Sequence, residues 1–194
     1  FCEYNLFKIK QELEKINRVK TTLITNLTNA ENELSLEKTF KKYNVNLIFH
    51  AAAYKHVPIV EHNWAEGLKY NVFGTLTIAK ASLKTKVQHF VFISTDKAVR
   101  PTNVMGASKR LGELCLQALF ANQNEKETKF SMVRFGNVLD SSGSVIPKFR
   151  KQIKERNPMT LTHPDISRYF MTIEEAAELV IQAGAMADGG EVFL

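Results

Sequence analysis

The sequence predicts an α/β fold, a doubly wound parallel sheet with helices on both faces, and three features of this 194-residue chain carry that prediction. Segments rich in β-branched and aromatic residues alternate with amphipathic stretches of helical length, the pattern of βαβ units. Several of these segments, HFVFIS at 89–94 above all, are near-continuous apolar runs, as strands covered on both faces should be. Three segments also leave their strands on polar residues: HAAAYKH at 50–56, STDK at 94–97 and FGNV at 135–138. In an open parallel sheet such exits converge on one crevice, where ligands bind.

Taken in order, Leu6, Phe7, Ile9, Leu13 and Ile16 recur at helical intervals and predict a helix over 3–16. TTLIT at 21–25 predicts a short strand. Leu34, Leu36 and Phe40 on one side predict a helix over 31–43, followed by a strand over 46–49. Trp64, Leu68, Val72, Leu76, Ala79 and Leu83 predict one long helix over 64–84. The strand 89–94 runs into a polar loop, a helix from Met105 to Asn122 and a strand over 129–135. The last third predicts a helix at 146–156, short strands near 159–162 and 168–172, a helix at 173–186 and a final strand at 191–194. The expected division is a main unit over 1–138 and a smaller C-terminal part over 139–194. Because the chain opens on Phe1 and ends within a strand-like segment, it is expected to be a fragment truncated at its N-terminus.

With 44% hydrophobic and 24% charged residues the chain can bury one ordinary core. No apolar run approaches the roughly 18 residues that span a bilayer, and there is no signal-peptide pattern. Two cysteines, Cys2 and Cys115, are too few for a disulfide framework or a metal cluster. Of the histidines at 50, 56, 62, 89 and 163 only His56 and His62, six apart in a loop, approach metal-ligand spacing, and no metal is expected. The net charge of +6 is spread over separate amphipathic segments, with Ile146, Phe149 and Ile153 facing inward from one of them. Aromatic residues do not interleave with these charges, which argues against nucleic acid and for a phosphate-bearing small substrate.

The chemistry concentrates at 89–112. Asp96 and Lys97 are adjacent on a loop at a strand end, and one helical repeat places Lys109 beside Met105 on the following helix. A second cation nearby would depress the Lys97 amine and let it act as a base, while burial would raise Asp96 and let it act as an acid. The ordinary alternative is a solvated turn pair.

The strand, the Ser94-Thr95 pair and the Met105-x-x-x-Lys109 spacing resemble the catalytic segment of extended short-chain dehydrogenases/reductases, and NVFGT at 71–75 resembles their Asn-x-x-Gly-Thr element. HAAAYKHVPIVEHN, STDKAVRPTNVMGASKR, RFGNVLDSSGSVIPKF and THPDISRYFMT together are similar to one subgroup, the nucleotide-sugar 4,6-dehydratases of bacterial capsule, O-antigen and flagellin-glycan synthesis. The resemblance covers nearly the whole chain. It implies a Rossmann-like fold without its first βα unit and a small substrate-binding part. The implied reaction on UDP-N-acetylglucosamine is oxidation at C4, loss of water across C5–C6 and return of hydride to C6, with NADP as cofactor and NAD possible.

By the same resemblance, Lys97 is the C5 base, Asp96 the acid for the C6 hydroxyl, and Lys109 the holder of the nicotinamide ribose. Thr95 and Ser94 contact substrate or relay protons. Met105 stands where other relatives carry tyrosine, which leaves Lys109, or Thr95 through a water, to take the C4 hydroxyl proton. Asn26, Ala51, Ala52, Ser94, Asn71 and Lys109 fall at cofactor positions, and Lys55, Asn137, Ile146, Pro147 and Arg168 at substrate positions. Asn26 replaces the usual aspartate near the adenine, and Trp64 a usual proline. Asp140 replaces a usual glycine, a charge that must point away from a diphosphate to be harmless. A homo-oligomer is implied, in the cytoplasm or, where the full-length protein carries N-terminal membrane helices, on the cytoplasmic face of the bacterial inner membrane. A 4-epimerase or reductase on the same scaffold, and a cofactor-binding scaffold without turnover, are the rival expectations.

Overall fold

The computed structural model describes residues 2–16, 21–125, 127–141, 145–161, 163, 165 and 167–194. In chain order the elements are α1 (Glu3–Ile16), α2 (Glu33–Tyr43), β1 (Leu47–His50), α3 (Val57–His62), α4 (Trp64–Leu68), a π-helical segment Lys69–Gly74 and α5 (Thr75–Lys84). Next come β2 (His89–Ile93), a 3-10 turn Asp96–Ala98, α6 (Val104–Ala121), β3 (Lys129–Val133), β4 (Asn137–Val138) and α7 (Val145–Lys154). The chain closes with β5 (Phe170–Met171), α8 (Ile173–Met186) and β6 (Val192–Phe193).

Four parallel strands form the main sheet in the order β1-β2-β3-β6. Alternation along β2 sorts its side chains between two covers. Phe90 and Phe92 join Ile78 and Ala79 of α5, Leu116 of α6, and Phe130 and Met132 of β3. Val91 faces the other way, onto Val133 and onto Val180 and Ala183 of α8. Each fully buried phenylalanine contributes about 1.5–3 kcal/mol, so this double-sided core holds the ends of β1, β2 and β3 together. Although β6 and α8 fall after residue 138, they complete this sheet and its second cover. β4, at the end of the main unit, and β5, from the C-terminal part, pair separately as a two-stranded parallel ribbon.

Helix ends follow local chemistry. In α8, Thr172 Oγ1 accepts the Glu175 N–H while Glu175 accepts the Thr172 N–H, a capping box. At the start of α6, Asn103 Oδ1 accepts the Gly106 N–H at 2.8 Å, and Glu61 of α3 accepts the Val104 N–H at 2.9 Å.

Several expectations are corrected. Residues 21–25 form no strand: they are exposed apart from half-buried Leu23, and β1 pairs only with β2 among the described residues, so the segment has no ladder to join. The expected helix 64–84 is interrupted at Lys69–Gly74. One extra residue in the repeat turns the following side chains by about 100°, and Trp64, expected on the inner face, is 59% exposed. Ile153 and Leu34 also face solvent rather than the core. No strand forms at 159–161. Residues 142–144, 162, 164 and 166, within the two C-terminal motifs, lie outside the described residues. Among the described residues no helix is long and apolar enough to cross a membrane, and no cluster of His, Cys, Asp or Glu could hold a metal.

Candidate active site

The exits of β1, β2 and β3 open on a cavity of about 710 Å³. Its wall brings together, from the expected site, Ala51, Lys55, Ser94, Thr95, Lys97, Met105, Lys109, Asn137 and Arg168. The parallel register sets the three exits side by side: His50 lies opposite Phe92, and Ile93 opposite Val133. The crossover helix α6 then carries Met105 and Lys109 back beneath the exit of β2.

The Asp96–Lys97 pair sits on the 3-10 turn. Thr95 Oγ1 donates to Asp96 Oδ1 at 2.8 Å, and Lys97 Nζ donates to the same oxygen at 2.9 Å. Lys97 lines the cavity, whereas Asp96, about half exposed, stands at its rim outside the lining. Partial burial pushes the Asp96 carboxyl up, but the hydrogen bonds from Lys97 and Thr95 outweigh it and hold the group below the usual carboxylate range. The expectation of an acid raised by burial is therefore corrected: the adjacent ammonium wins, and Asp96 rests ionised. Gly106 lets α6 approach this turn, since a Cβ there would lie 2.2 Å from the Lys97 carbonyl oxygen.

Lys109 is buried, its ammonium 3.9 Å from the centre of the Phe92 ring and in no ion pair among the described residues. Burial lowers its amine to about 7, against the opposing field of Glu113. His50, behind it, stacks on Phe92, shares a hydrogen bond of 2.9 Å with Thr75 Oγ1, and is lowered to about 3 by burial and by Lys109. Met105, buried and lining the cavity, brings no ionisable atom to the tyrosine position.

Other expected residues serve differently. Asn71, on the π-helical segment, is fully buried and outside the lining. Its Oδ1 accepts the Tyr54 N–H at 2.8 Å, and its Nδ2 donates to the Tyr54 carbonyl at 3.0 Å and to Ser108 Oγ at 2.9 Å. It clamps the 51–55 exit through Tyr54. Asn26 is exposed, bonded to Thr39 and Thr28, and neither it nor Ala52 lines the cavity. Ile146 and Pro147 do not line it either; Val145 and Phe149, one turn apart on α7, do. Asp140 takes the left-handed backbone (φ +55°) that favours glycine and turns outward to Arg150 at 2.9 Å.

Sequence reasoning missed Tyr54, Phe135 and His163 in the wall, and Glu113 and Arg134 behind it. A faint signal existed for Glu113, four residues after Lys109 on the same helix face.

A family model described as polysaccharide biosynthesis protein matches residues 1–194. The capsular polysaccharide biosynthesis protein CapD of Staphylococcus aureus is 45% identical over 192 residues, 99% of this chain and 32% of its own length. A Rickettsia rickettsii protein named UDP-glucose 4-epimerase is 40% identical over 152 residues, 78% of this chain and 45% of its own. Among solved structures, Pen from Bacillus thuringiensis superimposes with a TM-score of 0.91 at 38% identity, covering 98% of this chain and 57% of that one. The chain thus spans only about a third to a half of the curated relatives' length. The Rossmann-like α/β sheet read from the sequence is the fold this chain shares with Pen.

Proposed function

The chain belongs to the polysaccharide biosynthesis protein family, and from that premise we propose that it is the catalytic core of a nucleotide-sugar 4,6-dehydratase acting on UDP-N-acetylglucosamine. The observation that carries the reading is the Asp96–Lys97 pair at the mouth of the β2 exit, beside the buried Lys109. Epimerisation or reduction at C4 needs no base at C5. A dehydration needs one, with an acid next to it.

The elimination can be followed through these two side chains. Neutral Lys97 takes the C5 proton, the C5–H electron pair becomes the C5=C6 bond, and the C6–O bond breaks as the departing hydroxyl takes the Asp96 proton and leaves as water. The pair is then an ammonium beside a carboxylate, the arrangement seen at 2.9 Å. Passing one proton across that same contact regenerates the reactive tautomer. Lys55, Asn137 and Arg168 would hold the sugar diphosphate, Arg168 through its planar fork. Lys109, its amine lowered to about 7, would accept the C4 hydroxyl proton in the place of the missing phenol.

The residues present fit the nicotinamide end of a dinucleotide, because Lys109 offers a buried amine, in no ion pair among the described residues, beside small Ala51 and Ser94. When bound, NADP, or NAD in its place, would supply hydride removal at C4 and hydride delivery at C6. We further propose that the full-length protein is a homo-oligomer, in the cytoplasm or, where it carries N-terminal membrane helices, on the cytoplasmic face of the bacterial inner membrane.

A second reading, 4-epimerase, is favoured by the name of the Rickettsia relative. Incubation of the full-length protein with UDP-N-acetylglucosamine in deuterated water separates the two. Dehydration puts deuterium at C5 and yields a 4-keto-6-deoxy sugar; inversion at C4 without C5 exchange would sink the dehydratase reading.

A further inference from the structure

Two hydroxyls line the cavity at the exit of β2, and both have already committed their proton. Ser94 Oγ donates to Glu113 Oε1 at 2.5 Å, and Thr95 Oγ1 donates to Asp96. An ionised carboxylate only accepts, so the proton in each pair is the hydroxyl's. The Ser94 pair is the more firmly built. Glu113 is fully buried; Oε1 also accepts Arg134 Nε at 2.8 Å, and Oε2 accepts Arg134 Nη2 at 2.6 Å and Arg110 Nη1 at 3.0 Å. Burial pushes this carboxyl up, but the two guanidinium groups and the serine outweigh it and keep it ionised. Ser94 itself is only 5% exposed, and its backbone N–H is bonded to the Val133 carbonyl at 2.7 Å, which holds its backbone at the β2 exit.

We propose that Glu113 is a positioning residue that fixes Ser94 as a hydrogen-bond acceptor toward the cavity, so that the ligand atom held against Ser94 must carry a proton. A hydroxyl or an amide N–H satisfies it; a carbonyl or phosphoryl oxygen does not. Resting on the nucleotide-sugar reading, the inference adds that Ser94 favours the alcohol form of the sugar carbon it meets over the ketone. Arg134 and Arg110 act at one remove, holding the carboxylate that orients the serine.

Two measurements on the full-length protein test this. The first needs no ligand. With labelled serine, the Ser94 hydroxyl proton, assigned by its loss in Ser94→Ala, should exchange slowly and resonate downfield. Glu113→Asp, which keeps a charge for both arginines but withdraws from Ser94, should move it or speed its exchange. Absence of the resonance in the unmodified protein, or indifference to Glu113→Asp, overturns the proposal whatever the substrate.

The second measures dissociation constants for UDP-N-acetylglucosamine and for UDP with the protein saturated in reduced cofactor, which blocks turnover. Ser94→Ala, which leaves the ion cluster intact, and Glu113→Asp should each weaken the sugar nucleotide about tenfold, the scale of one hydrogen bond, and leave UDP unchanged. The double variant should bind no more weakly than either single one. Additive losses of about a hundredfold, or equal losses for UDP, would give Glu113 a purely structural role. If the unmodified protein binds no UDP-N-acetylglucosamine, the nucleotide-sugar reading falls, and the hydroxyl resonance alone decides this one.

Discussion

Replacing Gly106 by alanine tests whether α6 holds the Lys97 turn in place. The new Cβ would lie 2.2 Å from the Lys97 carbonyl oxygen and 3.0 Å from its carbonyl carbon. Both are backbone atoms, so no side-chain torsion can yield. Restoring an ordinary contact distance parts the helix and the turn by about 1 Å. Helix propensity alone favours alanine by about 1 kcal/mol, while overpacking costs about 1–3 kcal/mol. The net expectation is a loss of up to about 2 kcal/mol, seen as a fall in Tm of up to about 8 °C. Turnover should suffer more, because a 1 Å misplacement of a reacting group costs on the order of 100-fold in kcat. Affinity for UDP should persist, since Lys55 and Arg168 lie on other segments. Thermal melting and steady-state turnover of UDP-N-acetylglucosamine by the full-length protein check both parts. An alanine variant that melts higher and keeps its kcat would refute the close packing of Gly106 on Lys97.

Three further outcomes are expected. His50, lowered from 6.5 to about 3 by burial and by Lys109, supports folding above pH 6.5 and withdraws that support as pH falls toward 3. This term reaches about 3 kcal/mol by pH 4, and His50→Gln should flatten it in urea melts at pH 7 and 4; an unchanged acid limb counts against the buried neutral imidazole. Lys109, lowered to about 7 chiefly by burial, makes the fold gain stability as pH rises from 7 toward 10.5. Lys109→Met should remove that slope and raise stability at pH 7 by at most about 4 kcal/mol while abolishing turnover; a slope that survives the substitution would place the titration elsewhere. Arg134→Met leaves the fully buried Glu113 carboxylate with Arg110 as its one guanidinium among the described residues, beside the Ser94 hydroxyl, and should cost about 3–5 kcal/mol. Adding Glu113→Leu should recover most of it, and a double variant as unstable as the single one would show that the ion pair is not the source.

The strands and the acid–base loop were legible because hydrophobic periodicity and strand-exit polarity are local properties. HFVFIS could only be a strand covered on both faces, and STDK had to leave it at the sheet's carboxyl edge. What escaped was set by tertiary partners. TTLIT has strand-forming residues but no neighbouring ladder. Glu113 and Arg134 meet only because α6 returns beneath β3. Asp96 was expected to be raised by burial, but an ammonium 2.9 Å away decides its state. On α7, Val145 and Phe149 line the cavity, whereas the sequence pointed to the neighbouring Ile146 and Pro147. Asn71 lay within a motif visible in the sequence, yet its role as a clamp on Tyr54 depends on a π-helical turn that periodicity cannot announce.

That turn also limits how the gene can drift. Within Lys69–Gly74, loss of one codon would close the wide i→i+5 turn into an ordinary helical one. The resulting helix would be more regular, yet Asn71 would rotate away from Tyr54 and Ser108, and the β1 exit would lose its tether. Deletion and insertion are therefore unequal here: the shorter allele gives the better helix and a β1 exit without its tether. The length of this segment is a trait kept by the cavity wall, against the preference of the helix that carries it.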